Sequence, residues 1–463
     1  MGLLKNLAVS GAVLTLIFAV AIGVGWHFLS LPTVPPTLPV QYWGPNEAKP
    51  DNPAIISFKI NISSDIIEDL HDRLERLPPF TPPLEGANFR YGFNTDYLQK
   101  VVQFWLKEYK WKEREAFLNK LPHFRTQVSG LDIHFIRVKP SKVPEGVKVV
   151  PLLMMHGWPS SVRDFYEIVP LLTTPRAQEN FVFEVVIPSL PGHGFSDGAS
   201  KQGLGAAQIA VVMKSLMDRL GFKKFYIQGG DWGAIIASHM GVLFPDNVLG
   251  IHSNMCFSNS ALTILKEMIS HLWPSLFYNE NEIPHLRSFG ERLPFILEET
   301  GYMHLQATKP DTIGTALSDS PAGLAAYILE KFSTWTNPDW RFLPDGGLTQ
   351  KYTLTNLLDN VMIYWVTDTM TSSMRLYSET FSRAQLSMDL DRVQCLVPTA
   401  CAIFPNTLRI QYQPAFLLRD KFPNLVQVSN IQRGGHFPAF EEPSLLSDDI
   451  WSAVGKMMKL PDH

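Results

Sequence analysis

The stretch QGGDWGA at residues 228–234 lies between the apolar run FYI at residues 225–227 and the helix-compatible segment IIASHM at residues 235–240. Its glycines flank an acidic residue at the point where a strand should give way to a helix. Small neighbours permit the strained turn that lifts one side chain above a sheet, which is the form of a nucleophile elbow. The stretch therefore predicts Asp231 as a nucleophile, with an ordinary glycine-rich turn as the alternative.

A carboxylate at the nucleophile position narrows the chemistry. A serine that attacked a saturated carbon would leave a stable ether, whereas an aspartate leaves an ester that water can cleave. Asp231 therefore favours displacement at carbon followed by hydrolysis of an ester.

Apolar runs on both sides of the elbow predict a sheet. Continuous hydrophobicity is typical of strands that are covered on both faces, which favours an α/β fold with a mainly parallel sheet. Residues 123–128 and 131–138 alternate at period two and predict a hairpin. The other predicted strands are residues 149–155, 181–187, 224–227, 248–252, 395–404 and 425–428.

Composition shifts divide the rest of the chain. Residues 51–122 carry apolar residues at helical spacing with proline-rich links between the segments, and they predict a helical meander. The long stretch between strands 248–252 and 395–404 is mainly helical in pattern, and an insertion there would form a lid over the elbow. The predicted segments are a membrane anchor at residues 1–30, a Pro-rich linker at 31–50, the helical meander at 51–122, the first part of the core at 123–256, the helical lid at 257–390 and the last part of the core at 391–463.

Residues 7–29 predict the anchor because His27 is their only ionisable side chain. At about 1.5 Å per residue, a helix of this length would cross a hydrocarbon layer of roughly 30 Å. The run exceeds the roughly 7–15 apolar residues of a cleaved secretory signal, so an uncleaved single-pass N-terminal helix is favoured. The flanking charges do not indicate which face of the membrane the rest of the chain occupies.

Composition also argues against several partners. The net charge is −4 with mixed signs, so nucleic acid is not an expected partner.

The three cysteines, Cys256, Cys395 and Cys401, have no metal spacing and are interpreted as core residues in a reducing compartment rather than as a disulfide framework. The sequence shows no glycine-rich phosphate loop, dinucleotide fingerprint or metal-spaced histidine pair, so neither a cofactor nor a metal is predicted.

Two further stretches supply partners for Asp231. HGWP at residues 156–159 ends a predicted strand, and a loop there can supply the Trp158 N–H to an oxyanion hole, with the second N–H from Trp232. RGGHF at residues 433–437 places His436 in a glycine-flanked loop after the strand at 425–428. A histidine that follows the nucleophile in chain order is typical of α/β-hydrolases, so His436 is the candidate base.

Taken together, these features closely resemble the microsomal epoxide hydrolase family over nearly the whole chain. They are the apolar N-terminus, the helical meander, the motifs at Trp158, Asp231 and His436, and the run GYMHLQATKPDT at residues 301–312. Within the family the sequence is most similar to the insect juvenile hormone epoxide hydrolases, which open the epoxide of a lipophilic sesquiterpenoid ester.

The resemblance implies an α/β-hydrolase core with a helical lid that converts a lipophilic epoxide to a diol, with juvenile hormone as the expected substrate. It implies that Asp231 attacks, that His436 activates water, and that Tyr302 and Tyr377 protonate the epoxide oxygen. A phenol suits this task because its pKa of about 10 keeps it protonated near neutral pH. The resemblance also implies a location at the endoplasmic reticulum (microsomal) membrane.

The chain departs from the family at the acid that would orient His436. The family places Glu or Asp in the loop after the strand at 395–404, and this position falls on Thr407 or Arg409, depending on the alignment. Asn254, after the preceding strand, could orient an imidazole without stabilising its cation. The triad acid is therefore unassigned. Since loss of a triad acid can cost orders of magnitude, we expect slow ester hydrolysis and an accumulating ester.

Two other functions are open on the sequence. A haloalkane dehalogenase-like hydrolase would use the same nucleophile, although paired tyrosines suit an oxygen leaving group better than a halide. A non-catalytic or slow hydrophobic-ligand-binding paralogue would keep the pocket and lack the triad acid. The sequence predicts neither the oligomeric state nor the regiochemistry of attack.

Overall fold

The computed structural model describes residues 34–461, apart from residues 281, 284, 285, 287 and 408–411. The anchor predicted at residues 7–29 lies outside the described residues. Within the described part of the chain, no helix is both long enough and apolar enough to span a bilayer.

One nine-stranded sheet lies at the centre of the described residues, in the order β1-β2-β3-β5-β4-β6-β7-β8-β9. The strands are β1 (Ile56–Phe58), β2 (His123–Val128), β3 (Leu131–Val138), β4 (Lys148–Met155), β5 (Phe181–Pro188), β6 (Phe225–Gly229), β7 (Val248–Ser253), β8 (Thr399–Ile403) and β9 (Leu425–Asn430). Strands β4 to β9 are parallel to one another, while β1, β2 and β3 join through antiparallel pairs. The predicted mainly parallel sheet is confirmed.

The N-terminal part of the described chain differs from the prediction in one respect. Residues 56–58, which the helical pattern included, form β1 and pair with β2. Three residues are too few to show an alternating pattern, so their strand character depends on the partner strand. The helices that follow, up to the elbow, are α1 (Ser64–Glu75), α2 (Thr95–Lys107), α3 (Trp111–Leu118), α4 (Val169–Thr173), α5 (Ala206–Arg219) and α6 (Trp232–Leu243).

A helical insertion connects β7 to β8. Its helices are α7 (Ala261–Leu272), α8 (Pro274–Phe277), α9 (Phe289–Glu299), α10 (Gly301–Thr308), α11 (Pro310–Asp319), α12 (Pro321–Thr334), α13 (Leu348–Lys351), α14 (Leu354–Thr367), α15 (Met370–Thr380) and α16 (Arg383–Leu386). Helix α1 packs on α12, and α2 packs on both α12 and α14. The N-terminal helices therefore support the insertion from outside the sheet.

Helices cover both faces of the parallel strands. The last helices are α17 (Ala415–Leu418), α18 (Pro438–Glu441) and α19 (Pro443–Met457). Helices α5 and α6 pack against each other, and α4 and α19 form a second pair. All eight residues of β5 are buried, which is the result expected for a strand with a helical layer on each side.

The interpretation of the three cysteines as unpaired core residues is wrong for two of them. Cys256 and Cys401 form a disulfide that joins the loop after β7 to β8, and only Cys395 is a free, buried thiol. The two partners are 145 positions apart, so their spacing gave no signal. Pairing of β7 with β8 places Ser253 opposite Cys401 and so brings Cys256 within reach. Because disulfides are rare in reducing compartments, the cysteines no longer support the prediction of such a compartment.

Candidate active site

The predicted elbow forms the turn between β6 and α6. Asp231 has φ 51° and ψ −127°, a backbone conformation that residues other than glycine rarely adopt. Such strain is tolerated where the surroundings hold the residue firmly, and it is concentrated at functional sites. The turn presents the Asp231 side chain at the carboxyl end of the parallel strands, where open α/β sheets bind ligands.

Three glycines allow the elbow to approach the end of β4. A Cβ added to Gly233 would lie 2.1 Å from the carbonyl oxygen of Met155, and one added to Gly229 would lie 2.4 Å from that of Gly233. A Cβ on Gly157 would lie 2.3 Å from the Cβ of Asp231. These are distances that no backbone can accommodate without shifting. The glycines of these motifs are therefore explained by the close approach of the elbow to the end of β4 and the loop that follows it.

The loop after β4 contributes a hydrogen bond to the predicted nucleophile. The backbone N–H of Trp158 donates to Oδ1 of Asp231 at 2.9 Å. Trp232 is the first residue of α6, and the N–H groups in the first turn of a helix have no acceptor within the helix. The two backbone donors predicted for an oxyanion hole thus flank the same carboxylate.

His156 holds this loop in place. Its Nε2 accepts a hydrogen bond from the Leu190 N–H at 3.1 Å, so the proton is on Nδ1, which donates to the carbonyl of Gly157 at 2.8 Å. Burial lowers the pKa of His156 to about 4, which keeps the ring neutral. His156 therefore acts as a structural residue that orients the backbone next to Trp158.

His436, the predicted base, lies next to the nucleophile. Its Nε2 is 3.4 Å from Oδ2 of Asp231, and the ring is 6% exposed. Within the described residues this Nε2 makes no hydrogen bond. The ring packs against Trp335 with a centroid distance of 4.7 Å. A nitrogen in this position is free to accept a proton from a water molecule near the Asp231 carboxyl group.

The two predicted tyrosines face this site from the lid helices α10 and α15. The Tyr302 ring stacks on Trp158 at 5.4 Å with an interplanar angle of 8°, and the Tyr377 ring meets Trp232 edge-on at 4.7 Å. Their own ring centroids are 6.0 Å apart. Burial, followed by the charge of Asp231, raises the pKa of Tyr302, and burial, followed by Tyr302, raises that of Tyr377. Both phenols therefore keep their protons near neutral pH.

The position expected for the triad acid holds no carboxylate in the described residues. Asn406 N–H donates to the Gly434 carbonyl at 3.1 Å, and the Thr407 hydroxyl donates to the Gly435 carbonyl at 3.4 Å. The loop after β8 therefore contacts the backbone that carries His436, with Thr407 at the predicted position. Arg409 lies outside the described residues.

Asn254, the other candidate, is directed toward the elbow. Its Oδ1 accepts a hydrogen bond from Gln228 at 2.9 Å, and its Nδ2 would lie 2.4 Å from a Cβ added to Gly230. In the described part of the chain, the only carboxylate within 4 Å of a His436 ring nitrogen is that of Asp231.

Glu441 is a site residue that the sequence analysis missed. Its Oε2 accepts the Gly435 N–H at 2.6 Å and its Oε1 accepts the Phe437 N–H at 2.8 Å, so one carboxyl group holds both neighbours of His436. Burial raises the pKa of Glu441 to about 8, against the opposing effect of these two N–H groups. The sequence does show a carboxylate five residues after His436, at the start of the pair Glu441-Glu442. Its hydrogen-bond partners, however, are backbone groups, and no pattern of residues identifies those.

A cavity of about 310 Å³ opens beside the predicted nucleophile. Asp231 lies on its wall with both tyrosines and Trp232, and most of its other lining residues are apolar. The remaining lining residues are the polar side chains of Asn259 and Gln413 and the charged side chains of Glu267 and Arg292. The apolar side chains of the wall are Ile235, Met255, Phe257, Met303 and Phe381.

The chain is similar to known proteins over most of its length. Residues 55–165 match a family described as the epoxide hydrolase N terminus, and residues 150–393 match the alpha/beta hydrolase fold. Juvenile hormone epoxide hydrolase 1 of Ctenocephalides felis is 52% identical over 444 residues, 95% of each chain. Epoxide hydrolase 1 of Oryctolagus cuniculus is 46% identical over 431 residues, covering 90% of this chain and 93% of the relative.

A solved structure shows the same similarity. The crystal structure of juvenile hormone epoxide hydrolase from the silkworm Bombyx mori superposes with a TM-score of 0.90 at 48% identity. It covers 92% of this chain and 100% of the silkworm chain.

Proposed function

Because the chain belongs to the epoxide hydrolase family, we propose that it hydrolyses juvenile hormone or a similar lipophilic epoxide to a diol through an ester on Asp231. The observation that carries the proposal is the environment of one carboxylate. Oδ1 of Asp231 accepts the Trp158 N–H, while Oδ2 lies 3.4 Å from His436. One oxygen is thus already held by a backbone donor, and the other is available to attack.

In the first step Oδ2 of Asp231 attacks an epoxide carbon. A new C–O ester bond forms as the ring C–O bond breaks, and the ring oxygen takes a proton from Tyr302 or Tyr377. The two phenols are suitable acids because they are protonated before the reaction and a ring-opened alkoxide is far more basic than a phenol. The product of this step is a hydroxyalkyl ester on Asp231.

In the second step His436 removes a proton from water, and the resulting hydroxide attacks Cγ of Asp231. The charge that develops on Oδ1 is stabilised by the Trp158 N–H, with the Trp232 N–H as the second donor. Collapse of the intermediate breaks the ester bond, returns the carboxylate and releases the diol. The departing alkoxide takes the proton of the Asp231 carboxyl group that forms in the collapse, and the proton held by His436 returns to the tyrosinate.

The direct assay incubates the purified protein with juvenile hormone and, separately, with an aromatic epoxide, and measures diol formation. We expect a diol from at least the juvenile hormone reaction. Halide release from an alkyl halide of similar size, without diol formation from either epoxide, would support the dehalogenase function instead. Binding of both epoxides without any product would support a ligand-binding protein.

Replacing Tyr302 or Tyr377 with phenylalanine should lower kcat for diol formation by roughly 10- to 100-fold for each tyrosine. The reason is that each variant removes one proton donor from the ring oxygen and keeps the aromatic packing. Steady-state kinetics measures the change.

Tyr327→Phe is the matched control for these variants. Its ring also packs on Trp158, at 5.7 Å, but its hydroxyl accepts a hydrogen bond from Gln306 at 3.3 Å. Activity should stay near that of the wild type in this variant. Equal losses in all three variants would contradict a specific role of the Tyr302 and Tyr377 hydroxyls as proton donors.

We also propose that residues 7–29 anchor the protein in the endoplasmic reticulum membrane. The support is the length and apolar character of that segment in the sequence. The full chain should stay with the membranes during extraction at alkaline pH, and a chain that starts at residue 34 should be released. Release of the full chain by the same wash would contradict the anchor.

A further inference from the structure

Large apolar side chains are exposed on the outer side of the lid. Helix α7 carries Ile264, Met268 and Leu272 four residues apart, and all three are more than half exposed. Residues at this spacing lie on one face of a helix, so they form an apolar stripe that faces away from the core. The exposed residues that continue the stripe from the end of α7 through α8 are Trp273, Leu276 and Phe277.

Helix α9 carries a second, shorter stripe. Leu293 and Leu297 are also four residues apart and exposed. An ion pair at 2.8 Å between Arg292 and Glu267 holds α9 beside α7. The exposed apolar side chains within residues 264–297 of these neighbouring helices are named the lid surface. Exposed apolar surface of this kind is typical of sites that bind a protein, a ligand or a membrane.

The lid surface leads into the cavity beside Asp231. Glu267 and Arg292, which line that cavity, directly precede Met268 and Leu293 in the sequence. Two other residues of the cavity wall, Met303 and Phe381, are exposed as well. The cavity therefore opens among exposed apolar side chains.

The N-terminal segment joins the fold close to this opening. Trp43 is 3% exposed, and a Cβ added to Gly203 would lie 3.5 Å from its ring. The Gly203 N–H donates to Oε2 of Glu379, on α15, at 2.8 Å. Phe381, at the edge of the cavity, follows two residues later. The point at which the chain enters the fold is thus next to a lid helix that ends at the cavity.

The length of the N-terminal segment limits where a membrane can lie. Residues 30–42 span at most roughly 50 Å, since an extended chain covers about 3.3–3.6 Å per residue. A bilayer held by the proposed anchor therefore stays within about that distance of the cavity edge. A second copy of the chain on the lid surface would close the opening, whereas a bilayer dissolves lipophilic molecules and brings them to it.

We propose that the lid surface inserts into the interfacial region of a bilayer, and that the cavity takes its lipophilic epoxide from the membrane rather than from water. This inference rests on the proposed function, because it concerns how the substrate of the same cavity arrives. Trp273 suits this position, since tryptophan is enriched at membrane–water interfaces.

Burial of apolar surface, not charge, provides the attraction. Lys266 pairs with Asp420 and Arg292 with Glu267, so these cations are already neutralised by carboxylates of the protein. A neutral phosphatidylcholine bilayer should therefore be sufficient, and high salt should not weaken the contact. A surface contact is reversible, unlike insertion of a spanning helix, so it is measured at neutral pH rather than after alkaline washing.

The first test places a fluorophore on the lid surface. The full chain with Leu272→Cys is labelled and reconstituted with phosphatidylcholine vesicles, while the native Cys395 thiol is buried. We expect quenching by lipids that carry a nitroxide near the headgroup. Val149→Cys is the control, because Val149 is exposed at the start of β4, at the end of the sheet away from the lid, and should not be quenched.

Two outcomes of this test would overturn the lid contact. One is equal quenching, or none, at the two labelled positions. The other is a blue shift of the fluorophore at position 272 that needs no lipid and grows with protein concentration, which would show a second copy of the chain on this surface.

The second test concerns delivery of the substrate. Leu272→Glu combined with Leu276→Glu places two charges on the lid surface at exposed positions. We expect kcat/KM to fall about tenfold for a lipophilic epoxide carried in phosphatidylcholine vesicles, and to stay unchanged for a short, water-soluble epoxide without vesicles. An unchanged value for the vesicle-borne epoxide, or an equal loss for both epoxides, would overturn delivery from the membrane.

Leu396→Glu is the matched control for the charge. Leu396 is 57% exposed and lies before β8, at the amino end of the parallel strands. This variant should keep the wild-type values for both epoxides. The fluorophore measurement needs no turnover, so quenching at position 272 in a protein that forms no diol would support the lid contact and count only against the proposed hydrolysis.

Discussion

Replacing Asp231 with asparagine should lower kcat for diol formation by about 10⁴-fold or more, the scale of loss seen when a hydrolase loses its nucleophile. Asparagine keeps the shape of the side chain and can still accept the Trp158 N–H that Asp231 now accepts at 2.9 Å. What it removes is the oxygen that attacks carbon. Epoxide binding should therefore persist while turnover stops.

Asp389→Asn is the appropriate control for this variant. Asp389 is another aspartate with positive φ, 50°, and its carboxylate pairs with Arg392 outside the cavity. Its replacement by asparagine tests the effect of this substitution at a positive φ without changing the cavity next to Asp231. Activity should stay near that of the wild type. If Asp231→Asn keeps more than about one per cent of the wild-type activity, and mass spectrometry shows that the asparagine has not been hydrolysed to aspartate, a nucleophilic role of Asp231 would be contradicted.

Replacing Thr407 with glutamate should raise the rate of ester hydrolysis at least about 100-fold, because loss of the triad carboxylate costs a serine protease about 10⁴-fold. Thr407 lies in a loop that hydrogen-bonds to Gly434 and Gly435, immediately before His436. A carboxylate there would stabilise the imidazolium that forms when His436 takes a proton from water. Attack by Asp231 does not use His436, so the first step should change little.

Thr407→Gln separates charge from size. Glutamine has the length of glutamate without the charge, so ester hydrolysis should remain slow in this variant. Rapid quench of a single turnover measures the two steps separately. If both variants behave like the wild type, the position of the acid has been wrongly assigned, and another group must support His436.

The sequence predicted the architecture because its signals are local. Strands β4 to β9 appear as apolar runs, and the turn at Ser129-Gly130 marks the hairpin, where both residues have positive φ. The elbow was recognisable because glycines are required on both sides of Asp231. These features depend on residues that are neighbours in the chain.

The features that the sequence analysis missed depend on the folded chain. Strand β1 exists because β2 lies beside it, and the Cys256–Cys401 disulfide exists because β7 and β8 are adjacent. Glu441 binds backbone N–H groups, which every residue offers and no motif displays. The pairing of Arg292 with Glu267 brings together two lid helices.

The family resemblance supplied the part of the site that physical reasoning from the residues alone could not. Tyr302 and Tyr377 would otherwise be read as packing residues, since nothing near them in the sequence indicates a reaction. The structure brings their rings against Trp158 and Trp232, the two residues that flank the Asp231 carboxylate. Their place on the lid means that the proposed proton donors and the proposed nucleophile come from different parts of the chain.

The most direct test of the covalent mechanism is the intact mass of the wild-type protein, quenched in acid during turnover of an epoxide. We expect a population heavier by the mass of one substrate molecule, with the added mass on the peptide that contains Asp231. This species should be lost in Asp231→Asn and should diminish in Thr407→Glu. Rapid diol formation with no adduct at any time would contradict an accumulating ester on Asp231.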